Sequence, residues 1–106
     1  MKTRRTKKTF SRKKSNIIDV YYFYTSWCHY SKKYFPVWKK FKSKWNNKTS
    51  NGYRFKFHEV DCDLQKELAS KYKIIQYPTI LRIKDKAVPY EGVPELFALS
   101  SFLTQW

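Results

Sequence analysis

One side chain with the chemistry of a nucleophile stands where a strand gives way to a helix. In the run Phe23-Tyr24-Thr25-Ser26-Trp27-Cys28-His29-Tyr30, the stretch leading in, Val20 to Tyr24, is apolar, aromatic and β-favouring. From Ser31 the period changes. Tyr34, Val37, Trp38, Phe41 and Trp45 recur at steps of three and four, the apolar face of a helix. Cys28 is thereby placed at a helix N-terminus, where unpaired backbone N–H groups and the macrodipole favour negative charge. A cysteine of pKa ~8.5 is only about 3% thiolate at neutral pH, and lowering it to ~7 makes about half the molecules reactive. The chemistry indicated is that of a nucleophilic thiolate.

The residues around Cys28 each carry two readings. Ser31 is either a polar residue of the helix's first turn or a hydroxyl that hydrogen-bonds the Cys28 thiolate. It cannot close a disulfide. His29 is either a solvated loop residue or a cation that favours the thiolate further. Trp27 beside Cys28 argues against an ordinary buried cysteine. Cys62 is the other thiol, 34 residues on, flanked by Asp61 and Asp63, whose charges raise a thiol pKa. At a strand end it packs inside rather than acting as a resolving cysteine. Two cysteines at this spacing suggest neither a disulfide scaffold nor a metal site.

The elements that must position Cys28 follow from pattern. Ile17 to Tyr24 reads as a strand, and Cys28 to Trp45 as a helix bent near Pro36. Asn46 to Gly52 is a polar loop turning at Asn51-Gly52. Tyr53 to Val60 alternates like a strand. Asp63 is placed to cap a short helix with the stripe Leu64, Leu68, Tyr72. Thr79 to Lys84 and Ala87 to Tyr90 are strands joined by the turn at Asp85. Pro94 suits the first position of a last helix carrying Leu96, Leu99 and Leu103 on one face. The order β-α-β-α-β-β-α predicts an α/β fold of three layers, a central mixed sheet between helices.

Trp27-Cys28 with Ser31, Pro36 inside the helix, Val60-Asp61-Cys62, Tyr77-Pro78-Thr79 opening a strand, and Gly92 before the last helix together resemble the thioredoxin superfamily. The resemblance covers about residues 17 to 106. It is most similar to a single-domain protein disulfide isomerase with a Cys-x-x-Ser motif. It implies a thioredoxin-like fold whose first strand-helix unit is missing or reduced. It also implies a cis Pro78 beside Cys28, with the Tyr77 backbone pairing an extended substrate peptide. The departures are specific. Ser31 replaces the second active-site cysteine. Tyr22 replaces the buried acid six residues before Cys28. No arginine follows Gly92.

The implied function is thiol–disulfide exchange on disulfide-containing protein substrates through Cys28 alone. Glutathione or another external thiol would be co-substrate, with no other cofactor. A competing reading is a redox-weak binding module directed to polyanions.

That second reading rests on charge. The net charge is +15 over 106 residues, enough for one domain. Residues 1 to 15 hold eight Lys or Arg and no acid, which predicts a disordered basic tail before a domain over 16 to 106. Such a tail suits nucleic acid or another polyanion. The lysines of the first helix, Lys32, Lys33, Lys39, Lys40, Lys42 and Lys44, read mainly as a solvated face. No secretory leader is evident, and no apolar run approaches the about 18 residues of a membrane span. A cytoplasmic or nuclear site is expected. Small size, a reduced first unit and a basic start resemble disulfide-isomerase-like proteins of large algal DNA viruses, which adds packaging in a virion as an expectation.

Overall fold

A computed structural model describes residues 16 to 105. The expected disordered tail at residues 1 to 15 lies outside them, as does the end of the expected domain at position 106. The elements are β1 (Ile17–Tyr24), α1 (His29–Trp45), β2 (Thr49–Ser50), β3 (Tyr53–Asp61), α2 (Lys66–Lys71), β4 (Thr79–Ile83), β5 (Ala87–Pro89) and α3 (Leu96–Thr104). They form a five-stranded sheet in the order β2-β3-β1-β4-β5. β1 runs parallel to β3 and antiparallel to β4, so the sheet is mixed.

β1 is central because both of its faces are buried. Ile18, Val20 and Tyr22 point to one side, and Phe23 with Tyr21 to the other. A strand alternates its side chains, so this placement makes three layers. On the first side, Trp38 and Phe41 of α1 and Leu99 and Leu103 of α3 close over Phe55, Phe57 and Ile80. Tyr22 stacks on Trp38 at 4.9 Å, and Phe41 meets Phe57 edge-on at 5.0 Å. On the second side, Ala69 and Leu68 of α2 cover Phe23, Val60, Cys62 and Leu81. Trp45 Nε1 donates to Ser100 Oγ at 2.9 Å, joining α1 to α3.

Three local readings change. The polar loop after α1 contains β2, which pairs antiparallel with β3. Asn51 and Gly52 both adopt positive φ, the conformation that a two-residue hairpin turn demands and Asn-Gly supplies. The helix expected to begin at Asp63 begins at Lys66, and Leu64 is exposed. Asp63 does not cap it, because its carboxylate accepts the Trp27 indole N–H at 2.8 Å. The last helix starts at Leu96, not Pro94. A turn at Val93, whose carbonyl accepts the Glu95 N–H at 2.8 Å and the Tyr90 hydroxyl, delays it. Gly92 leaves room there for Tyr90, since a Cβ would lie 2.5 Å from its hydroxyl and force the ring to shift.

Candidate active site

Cys28 is the N-cap of α1 and stays in extended conformation while its carbonyl accepts the Lys32 N–H at 3.1 Å. The turn from β1 is closed by the Cys28 N–H, which donates to the Thr25 carbonyl at 3.4 Å. β1 thus ends, reverses and hands Cys28 to the helix within four residues. The thiol is partly exposed, and its Sγ–H donates to the Tyr77 carbonyl at 3.7 Å. The Tyr77–Pro78 peptide is cis.

The helix end lowers the Cys28 pKa below the ordinary thiol value. The main cause is the backbone N–H of Ser31, opposed by burial, which acts second most strongly and in the other direction. The Ser31 hydroxyl, the Tyr30 N–H and the Thr25 hydroxyl add to the lowering. Cys62 goes the other way. Burial raises its thiol pKa most, with Asp61 and Asp63 adding to the rise. The sequence pointed to those two carboxylates but not to the larger effect of burial.

Ser31 is buried and tied on two sides. Its hydroxyl oxygen accepts the Thr25 N–H at 3.4 Å, which leaves its proton free for the Cys28 sulfur. Its carbonyl accepts the Tyr22 hydroxyl at 2.7 Å. Tyr22 itself is fully buried, and its phenol is held neutral mainly by desolvation. The acid in register with it on β3, Glu59, directs its carboxylate elsewhere, to Trp38 Nε1 at 2.9 Å and Lys42 Nζ at 3.2 Å.

Trp27 lies 65% exposed over this surface, fixed by Asp63 below and by an edge-on contact with Tyr77 at 6.0 Å. His29 is exposed and packs edge-on against Tyr30. Of the residues singled out from the sequence, Cys28, Ser31, Trp27, Tyr77 and Pro78 converge. His29 sits exposed beside them at the start of α1. Cys62 is separate, beneath a groove of about 550 Å³ that Asp63, Lys66, Lys73, Ile75 and Tyr77 also line. A second groove, of about 390 Å³, flanks Pro78 on the Tyr34 and Gly92 side. Thr25 and Asp63 were missed. The signal for Thr25 was a polar residue ending an apolar strand three positions before the thiol. Asp63 carried none, because Trp27 reaches it across 36 residues of chain.

The chain is similar to the protein disulfide isomerase-like 2-3 of Oryza sativa subsp. japonica, with 36% identity over 84% of this chain and 20% of that protein. The protein disulfide-isomerase 2-3 of Arabidopsis thaliana is 31% identical over 86% of this chain and 20% of that one. The chain therefore spans about a fifth of the length of these curated relatives. Among solved structures, human ERp44 in its zinc-bound form superposes with a TM-score of 0.70 at 25% identity, over 86% of this chain and 27% of that one. Fasciola hepatica thioredoxin, at 24% identity, shares the fold with a TM-score of 0.67, over 89% of this chain and 85% of that one. Among the described residues no helix is long and apolar enough to cross a membrane. The thioredoxin family model matches residues 3 to 105, and the chain belongs to the thioredoxin family.

Proposed function

We propose that the protein exchanges disulfides on protein substrates through Cys28 alone, as a monothiol isomerase. The observation that carries this is a thiol with a lowered pKa at a helix N-terminus, with Ser31 at the position where a second cysteine would close the reaction. In the first step the Cys28 thiolate attacks a substrate disulfide. One S–S bond forms to Cys28, the substrate S–S bond breaks, and its electron pair leaves on the other substrate sulfur as a thiolate. That thiolate, another substrate thiol or glutathione then attacks the mixed disulfide and expels the Cys28 thiolate. No net electrons move when the attacking thiol belongs to the substrate, so one cysteine suffices for shuffling. Net reduction or oxidation needs an external thiol or disulfide.

Tyr77 and Pro78 supply the substrate-binding edge. The Tyr77 carbonyl sits 3.7 Å from the sulfur, so a peptide alongside it reaches Cys28 as it pairs with the backbone. The grooves on either side of this segment give room for flanking side chains. Refolding of a scrambled disulfide protein in glutathione buffer tests the reading. Isomerase activity in the wild type and its loss in Cys28→Ser are expected. Full activity in Cys28→Ser overturns it.

One observation favours a second activity alongside the first. α1 carries six lysines and no acid, and all but Lys42 are exposed. The sequence adds eight basic residues before position 16, and together these cations suit a polyanion. Retention on heparin that falls steeply with salt is expected. Retention independent of salt removes it.

A further inference from the structure

Thr25 presents a buried hydroxyl with no hydrogen-bond partner among the described residues. The residue is 1% exposed, and its Oγ1 is the atom in question; its backbone groups are both used. The Thr25 carbonyl accepts the Cys28 N–H and the Thr25 N–H reaches Ser31 Oγ, so the residue is pinned between the two motif positions. An orphaned buried hydroxyl is destabilising and uncommon in a native core. Its surroundings change with one proton. While Cys28 is a thiol, its Sγ–H points at the Tyr77 carbonyl and the sulfur is a poor acceptor. Once Cys28 ionises, the sulfur becomes a charged acceptor, and hydrogen bonds to charged groups are the stronger ones.

We propose that Thr25 is a positioning residue for the reaction of Cys28, its hydroxyl left idle beside the thiol and recruited by the thiolate. The inference rests on the exchange reading above and deepens it. With Ser31, whose own oxygen is already occupied by the Thr25 N–H, it makes a two-hydroxyl cradle across the N-terminus of α1. The cradle acts in both directions of exchange. It raises the thiolate fraction before attack. It also stabilises the same thiolate as leaving group when an incoming sulfur breaks the mixed disulfide and the electron pair returns to Cys28. A thiol that both attacks and departs easily is suited to shuffling. The other ionisable groups around the sulfur are Tyr22 from β1, which is kept neutral by burial, His29 and Lys32 from α1, Tyr77 from the segment before β4, and Asp63 beyond Trp27. Tyr22, held neutral by burial, sets no negative charge against the thiolate, and the groups that favour the thiolate are the neutral donors of Ser31, Tyr30 and Thr25.

The test is the pH dependence of Cys28 alkylation by iodoacetamide in the full chain, followed at the Cys28 peptide by mass spectrometry. Thr25→Val keeps the shape and deletes the hydroxyl. Thr25→Ala deletes it with less bulk, and Thr25→Ser retains it. In Val and Ala the midpoint is expected to move up, with alkylation at neutral pH roughly threefold to tenfold slower. Ser is expected to track the wild type. A wild-type midpoint in both Val and Ala overturns the proposal. So does a midpoint raised equally in Ser, which would trace the effect to packing. The readout does not require isomerase activity. A hydroxyl-dependent midpoint in a protein that fails to shuffle disulfides would leave the role of Thr25 standing and remove the exchange reading instead.

Discussion

The Tyr22 hydroxyl donates to the Ser31 carbonyl at 2.7 Å, so the centre of the core is bonded to the residue three places after Cys28. The contact joins β1 to the first turn of α1 directly under Cys28. Replacing Tyr22 by Phe removes the donor while keeping the ring against Trp38. A loss of about 1 kcal/mol in denaturant unfolding is expected. An unchanged midpoint would show that the bond adds nothing to stability.

The two cysteines should titrate in opposite directions. Cys28 is lowered and Cys62 raised from the ordinary value. Alkylation of the native protein should therefore begin at Cys28, and Cys62 should resist until the chain unfolds. The linked stabilities have opposite signs. Between the lowered folded value of Cys28 and its ordinary unfolded value, the unfolded chain binds more protons, so its contribution rises with pH and is lost as pH falls through the folded value. Cys62 contributes stability below the unfolded value that disappears as pH rises through its raised folded value. Comparing Cys28→Ala and Cys62→Ala with the wild type by thermal unfolding across neutral to alkaline pH checks both slopes.

Ser31→Cys should give the protein the ability to reduce insulin. Cys28 and the new cysteine would sit three residues apart on the first turn, within reach of each other. Reduction should remain slow, because Tyr22 and the committed Glu59 leave no acid to take the second proton. Reduction no faster than in the wild type would count against a site ready to accept a second thiol.

Trp27 is held by one exposed hydrogen bond to Asp63. Asp63→Ala should change stability by less than about 1 kcal/mol, yet slow exchange on a protein substrate by roughly threefold, because the indole is freed from its place beside Tyr77. Equal losses in stability and exchange would assign the pair a structural role only.

Trp38 should be the costliest aromatic to remove. It is fully buried, stacks on Tyr22 and donates to Glu59, so Trp38→Ala is expected to lose about 3–5 kcal/mol. Urea unfolding measures it, and a loss under about 1 kcal/mol would mean that the cavity is refilled.

The fold was largely legible because period decided it. Ile18, Val20 and Tyr22 against Phe23 announce a strand buried on both sides, and Trp38 and Phe41 announce the face of α1. Cys28 was legible for the same reason, since a change of period marks the helix start. What escaped was set by long-range contacts or by single polar atoms. Asp63 looked like a cap and proved to be a hydrogen-bond partner of Trp27. Leu64 fitted a stripe that tertiary structure left in solvent. β2 is two residues long, too short for any pattern to show, although its turn residues Asn51 and Gly52 were plain. Thr25 showed only as a polar residue ending an apolar strand, because whether its hydroxyl is buried and unpaired is set by packing.

The sheet has two outer strands, and both are poor templates for another chain. β2 offers only Thr49 and Ser50, and β5 only Ala87 to Pro89, whose proline has no N–H to give. Long flat borders invite neighbours to add strands and seed aggregates. Here each border ends before a register can be established. These clipped margins leave a neighbouring strand little to pair with among the described residues.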